Sequence, residues 1–135
     1  MNPAKPLDVW VVDDDASIRW VLERALRNGG MTPKAFDAAE PALAALRSET
    51  PDVLITDVRM PDFSGPQVAD ALHARSAEVP VIFVSGYSDE EGLLTSRDPN
   101  LVRFIPKPFT PDALVGSARE LLALACSSAR SARRG

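Results

Sequence analysis

Apolar and polar positions along the chain keep two rhythms. Val9, Trp10, Val11 and Val12 form an unbroken apolar run that stops at acid. From Ala16 to Asn28 the rhythm changes, and Ile18, Val21, Leu22, Ala25 and Leu26 fall on one helical stripe. Gly29 and Gly30 end it. Thr32 to Phe36 predicts a weak strand. Ala39 to Arg47 is an Ala/Leu-rich helix in which Pro41 is tolerated only within the first turn. Val53 to Thr56 predicts a buried strand. Gly65 to Arg75 predicts a helix with Val68, Ala69 and Leu72 inward. Val79 to Val84 is apolar again, with Pro80 confined to the start of that strand. Leu101 to Ile105 predicts the last strand. Pro111 to Ala125 predicts the last helix, with Leu114, Ala118, Leu121, Leu122 and Ala125 on one face. Asp89 to Ser96 fills the place of a fourth helix. It contains Gly92 and soon meets Asp98, Pro99 and Asn100, so a short or irregular element is expected.

The sum is five repeats of strand then helix. Strands with near-continuous apolar runs, separated by helices, imply a parallel sheet covered on both faces. Right-handed crossovers then give a doubly wound α/β fold. Such folds place their sites outside the carboxyl ends of the strands.

Composition narrows the class. The 135 residues suit one domain, and a chain of this length buries roughly two-thirds of its unfolded surface. Residues 1–126 are expected to form that domain, and the Ser/Ala/Arg-rich residues 127–135 a flexible C-terminal tail or linker. Residues 1–115 hold 11 basic and 18 acidic side chains, net −7. Residues 116–135 hold 4 and 1, net +3. An acidic body argues against direct nucleic-acid binding, which needs clustered Lys and Arg. The single cysteine, Cys126, excludes an internal disulfide framework. The start lacks a signal-peptide apolar core, and no run approaches the ~18 apolar residues of a membrane span. A cytoplasmic location and no membrane partner are expected.

The residues after each strand carry the chemistry. Asp13, Asp14 and Asp15 follow the first strand, Asp57 the third, Ser85 the fourth and Lys107 the fifth. Each alone reads as loop polarity. Together they converge on one sheet edge, where crowded carboxylates repel unless a cation neutralises them. A hard divalent cation suits several carboxylate oxygens, and Mg²⁺ takes one or two of them plus waters. Asp57 at the centre could act as a nucleophile toward phosphorus. A cation and the Lys107 ammonium would neutralise charge on the phosphoryl oxygens, and the Ser85 hydroxyl could bond one of them. No strong general base for water attack is visible, so a phosphorylatable switch is expected rather than an enzyme of high turnover. His73 lies on the third helix and reads as a surface residue.

These residues resemble the receiver domain of two-component response regulators. The carrying motifs are VVDDD at 11–15, ITDVRMPDFSG at 55–65, VSGYSD at 84–89 and FIPKPF at 104–109. They span essentially the whole chain in family order. The resemblance implies a flavodoxin-like, five-stranded parallel sheet in the order 2-1-3-4-5 with five helices. It implies that Asp57 is the phosphoacceptor. Asp14 and Asp57 would ligate Mg²⁺ (or Mn²⁺) with the backbone carbonyl of Arg59, and Asp13 mostly through water. Ser85 would bond the phosphoryl group, and Lys107 would pair with it or with Asp57. Phe104 would be the switch aromatic, or else a plain packing residue of the last strand. The first half looks like the receivers of nitrogen-regulation activators, the second more like those of hybrid histidine kinases. Either the protein is of the hybrid-kinase kind with a convergent start, or the chain joins two lineages. A single-domain regulator or an excised domain is expected.

The implied donor is a sensor histidine kinase or a histidine phosphotransfer protein. Ser17, Trp20 and Arg24 face out beside the site as a docking patch, with Trp20 either an anchor or an incidental surface aromatic. Arg59 and Tyr87 would set phosphoryl lifetime or stand idle. Phosphorylation adds roughly two negative charges and would restructure the face formed by the fourth helix, the fifth strand and the fifth helix. The output partner is open, and the state is expected to be monomer or phosphorylation-dependent dimer. The chain would catalyse only its own phosphoryl uptake and slow autodephosphorylation. A haloacid-dehalogenase-type phosphatase would need a further acidic pair. A flavodoxin-like electron carrier would need a phosphate loop where three aspartates stand. A phosphorylation-independent interaction scaffold is the remaining alternative.

Overall fold

The computed structural model describes residues 7–58, 65–76, 78–85, 101–106 and 109–134, with 65, 66, 85 and 125–134 as backbone only. The described elements run β1 (Asp8–Val12), α1 (Ala16–Asn28), β2 (Thr32–Phe36), α2 (Ala39–Ala45), β3 (Val53–Asp57), α3 (Gly65–Arg75), β4 (Val81–Ser85), β5 (Val102–Pro106) and α4 (Pro111–Arg134). All strand pairs are parallel, and their order is β2-β1-β3-β4-β5. This is the flavodoxin-like architecture expected above. The Asp89–Ser96 segment lies outside the described residues.

The apolar runs have a direct cause. Trp10 and Val12 enter one core cluster, whereas Val9 and Val11 enter the other. Leu54 is likewise split from Val53 and Ile55, and Phe83 from Ile82 and Val84. A central strand with helices on both sides must be apolar at every position. One cluster takes its helical residues from α2 and α3, including Ala42 and Leu72. The other takes them from α1 and α4, including Leu26 and Leu121. β2 is weak in pattern because it is an edge. Thr32 and Lys34 are exposed, and Pro33 is tolerated where a neighbouring strand is missing on one side.

Two local details differ from expectation. Val21 is not inward. It is 37% exposed, beside Trp20 at 60%. The inward stripe of α1 is Leu22 and Leu26, both buried, with Ile18 and Ala25 half-buried against the same cluster, and Val21 sits on its flank. The last helix stays helical in backbone to Arg134, beyond the Ala125 end that the apolar stripe suggests. Apolar periodicity stops where packing stops, but a helix can continue past its packed face. The turn after α1 behaves as read: Gly30 takes φ 83°, a conformation costly for residues with a Cβ. No helix among the described residues is long and apolar enough to cross a membrane.

Candidate functional site: an acidic cluster at the carboxyl edge of the sheet

β1 and β3 lie side by side, with Val12 opposite Thr56. The residues that follow therefore leave the sheet together at its carboxyl edge. Asp13 is buried, Asp57 half-buried and Asp14 exposed. One carboxylate oxygen from each lies within 4.8 Å of the others. Unit charges at such spacing repel by roughly 1 kcal/mol in water and several-fold more at protein dielectric. The carboxylates are hard oxygen donors at graded depth. One buried, one half-buried and one open carboxylate leave room for waters, which fits a cation that keeps part of its hydration shell.

The turn after β1 is held from several sides. The Asp13 N–H donates to the Phe36 carbonyl at 3.1 Å, which ties the turn to β2. Asp13 Oδ1 accepts from the Asp15 N–H at 2.9 Å. The Asp13 carbonyl accepts from Arg19 Nη1 at 2.6 Å.

Asp15 corrects the sequence reading. Its place after β1 groups it with the other strand-end acids, but the resemblance leaves it out of the metal set, and it is the N-cap of α1. Its Oδ1 accepts from the Ser17 N–H at 2.9 Å and the Ile18 N–H at 3.4 Å. Three consecutive aspartates thus divide two ways, two to the cluster and one to the helix end. His73 is also corrected. It is half-buried, and its Nε2 lies 2.8 Å from the Val79 carbonyl, so it ties α3 to the approach of β4.

The other expected residues are placed as follows. Ser85 closes β4 one residue beyond Val84, the partner of Asp57, so its backbone stands at the same edge. Phe104 lies opposite Phe83 in β5, half-buried against the core cluster of α2 and α3. Ser17, Trp20 and Arg24 are all exposed on α1, and the Arg24 guanidinium stacks 5.3 Å from the Trp20 ring centroid. Arg59, Tyr87 and Lys107 lie outside the described residues. Sequence reasoning passed over Arg19. A signal was available: a cation in the first turns of a helix opposes the macrodipole, so an Arg there needs a local reason.

The family model of the response regulator receiver domain matches residues 9–119. The chain belongs to that family. This receiver domain is 44% identical over 107 residues to the DNA-binding transcriptional regulator NtrC of Salmonella typhimurium, covering 79% of this chain and 23% of that protein. It thus spans under a quarter of the length of the curated relatives it matches first. It superposes on the apo receiver domain of nitrogen regulatory protein C with a TM-score of 0.76 at 40% identity, covering 87% and 94% of the two chains. The receiver domain of the hybrid histidine kinase CckA is also similar, with a TM-score of 0.70, 30% identity and coverage of 85% and 98%. At 107 of 135 residues, the match to NtrC reaches into both halves of the chain. The receiver has the phosphoacceptor role of its family, with an acidic cluster able to hold a metal ion. A phosphorylation-independent scaffold finds no support in these matches.

Proposed function

We propose that this receiver takes a phosphoryl group onto Asp57 from a phosphohistidine on a sensor histidine kinase or histidine phosphotransfer protein. A bond forms between a carboxylate oxygen of Asp57 and phosphorus, the phosphorus–nitrogen bond breaks, and the imidazole leaves with a proton from solvent. The observation that carries this reading is the meeting of Asp57 with Asp13 and Asp14 within 4.8 Å at the carboxyl edge of the sheet. In this reading Asp14, Asp57 and the Arg59 carbonyl hold Mg²⁺ (or Mn²⁺), with Asp13 acting mainly through water. The bound cation supplies charge neutralisation for the phosphoryl oxygens.

The remaining roles are those the family resemblance implies. The Ser85 hydroxyl bonds a phosphoryl oxygen, and the Lys107 ammonium pairs with the group. Phe104 turns inward behind Ser85, which remodels the face around β5 and the last helix. Ser17, Trp20 and Arg24 dock the donor. Arg59 and Tyr87 tune phosphoryl lifetime by controlling water approach. The chain acts on no other substrate: it catalyses its own phosphorylation and slow dephosphorylation, in the cytoplasm. Residues 1–126 are the receiver unit and 127–135 a C-terminal tail or linker. Asp57→Asn abolishes labelling by a small phosphodonor with Mg²⁺. Undiminished labelling of that variant overturns the assignment.

A further inference from the structure

Asp13 is clamped at its N–H, its carboxylate and its carbonyl, and the last of these clamps comes from a side chain. The Arg19 guanidinium reaches back from α1 and donates to the Asp13 carbonyl at 2.6 Å, in a half-buried setting. The same residue closes the first turn of α1 through its own N–H, which donates to the Asp15 carbonyl at 3.1 Å. Arg19 therefore bonds to the backbone on both sides of Asp14. Charge alone disfavours this placement. A guanidinium near the start of a helix opposes the macrodipole, and a cation beside a cation site repels the incoming ion. Geometry favours it. The Asp13 carbonyl has left the β ladder after Val12 and has not entered the helix, so a donor is needed there. A charged donor at short distance is among the stronger hydrogen bonds.

We propose that Arg19 is a positioning residue for the cation site: its hydrogen bond to the Asp13 carbonyl fixes the turn that presents Asp13 and Asp14 to Asp57. The inference rests on the cation reading of that cluster. It has a sign that separates it from a purely electrostatic role. Loss of a repelling charge tightens cation binding, whereas loss of a positioning bond weakens it, because Asp13 and Asp14 must then be ordered by the ion.

The test is a Mg²⁺ titration followed through the backbone amide resonances of Asp14 and Asp57, on wild type, Arg19→Met and Arg19→Lys. The Met variant keeps most of the apolar stem and loses the donor. The Lys variant keeps charge and one donor. The expected result is Mg²⁺ affinity weakened about tenfold in the Met variant and restored to within about threefold of wild type by Lys. A Met variant that binds Mg²⁺ as tightly as wild type, or tighter, overturns the proposal. So does a Lys variant no better than Met. Should the Met variant fail to fold, the wild type decides through its Arg19 Nε–H resonance. That resonance is expected to shift with the same Mg²⁺ midpoint as the Asp14 amide, and a resonance that stays fixed overturns the proposal. A wild type that gives no Mg²⁺ response brings down the cation reading and this inference with it. A normal wild-type response with an unaltered Met variant brings down this inference alone.

Discussion

Val12 and Asp13 are neighbours of nearly equal burial, 0% and 2% exposed, and different forces hold them. Val12 closes β1 inside a cluster with Trp10, Leu54 and Phe83, where apolar contact supplies the stability. Asp13 begins a turn where hydrogen bonds hold the backbone and two more carboxylates crowd the side chain. One residue of travel takes the chain from apolar packing to clustered charge. The sheet edge can carry that repulsion because the layer beneath is apolar at almost every position. A receiver site of this kind is a small charged cap on an apolar floor.

That contrast can be broken at the floor first. Leu22 is fully buried between α1 and the sheet. Leu22→Ala is expected to cost about 2–5 kcal/mol in urea unfolding, whereas the folded fraction keeps its Mg²⁺ affinity. A loss under 0.5 kcal/mol would mean that the floor is not where stability lies.

The helix end comes next. Asp15→Ala removes the N-cap of α1 and is expected to cost about 0.5–2 kcal/mol, with Mg²⁺ affinity changed less than about twofold. A tenfold fall in affinity would return Asp15 to the cation site. The smallest effect has the opposite sign. Asp13→Asn keeps an oxygen for the Asp15 N–H but removes one of three clustered charges. Without metal it is expected to raise stability by about 1 kcal/mol, and Mg²⁺ should then stabilise it less than wild type. A destabilised metal-free variant would show that the cluster is not under repulsive strain.

Much of this was legible in the residues. The apolar runs of β1, β3 and β4 marked buried strands, and acid directly after two of them marked the site. The weak strand Thr32–Phe36 was legible too, though its edge place came from the strand order that the resemblance implies. Val21 misled because a five-residue apolar stripe on a helix is wider than the contact it makes, and flank positions are decided by how far the neighbouring helix reaches. Asp15 misled because capping and metal binding both call for a short carboxylate after a strand, so identity and spacing cannot separate them. His73 misled because its partner, the Val79 carbonyl, belongs to the next connection.

The sequence by itself determined the alternation of strand and helix, the two-sided burial of the sheet and the edge on which Asp13, Asp14, Asp57 and Ser85 gather. These follow from periodicity and chain direction, which are local properties. The resemblance already set Asp13 and Asp14 beside Asp57; only the tertiary structure showed that Asp15 caps α1. It alone brought Arg19 back onto the Asp13 carbonyl. Those outcomes depend on the path of the backbone through one tight turn between β1 and α1. That path is set by β2 on one side, β3 on the other and the helix packed above, none of which a local pattern can encode.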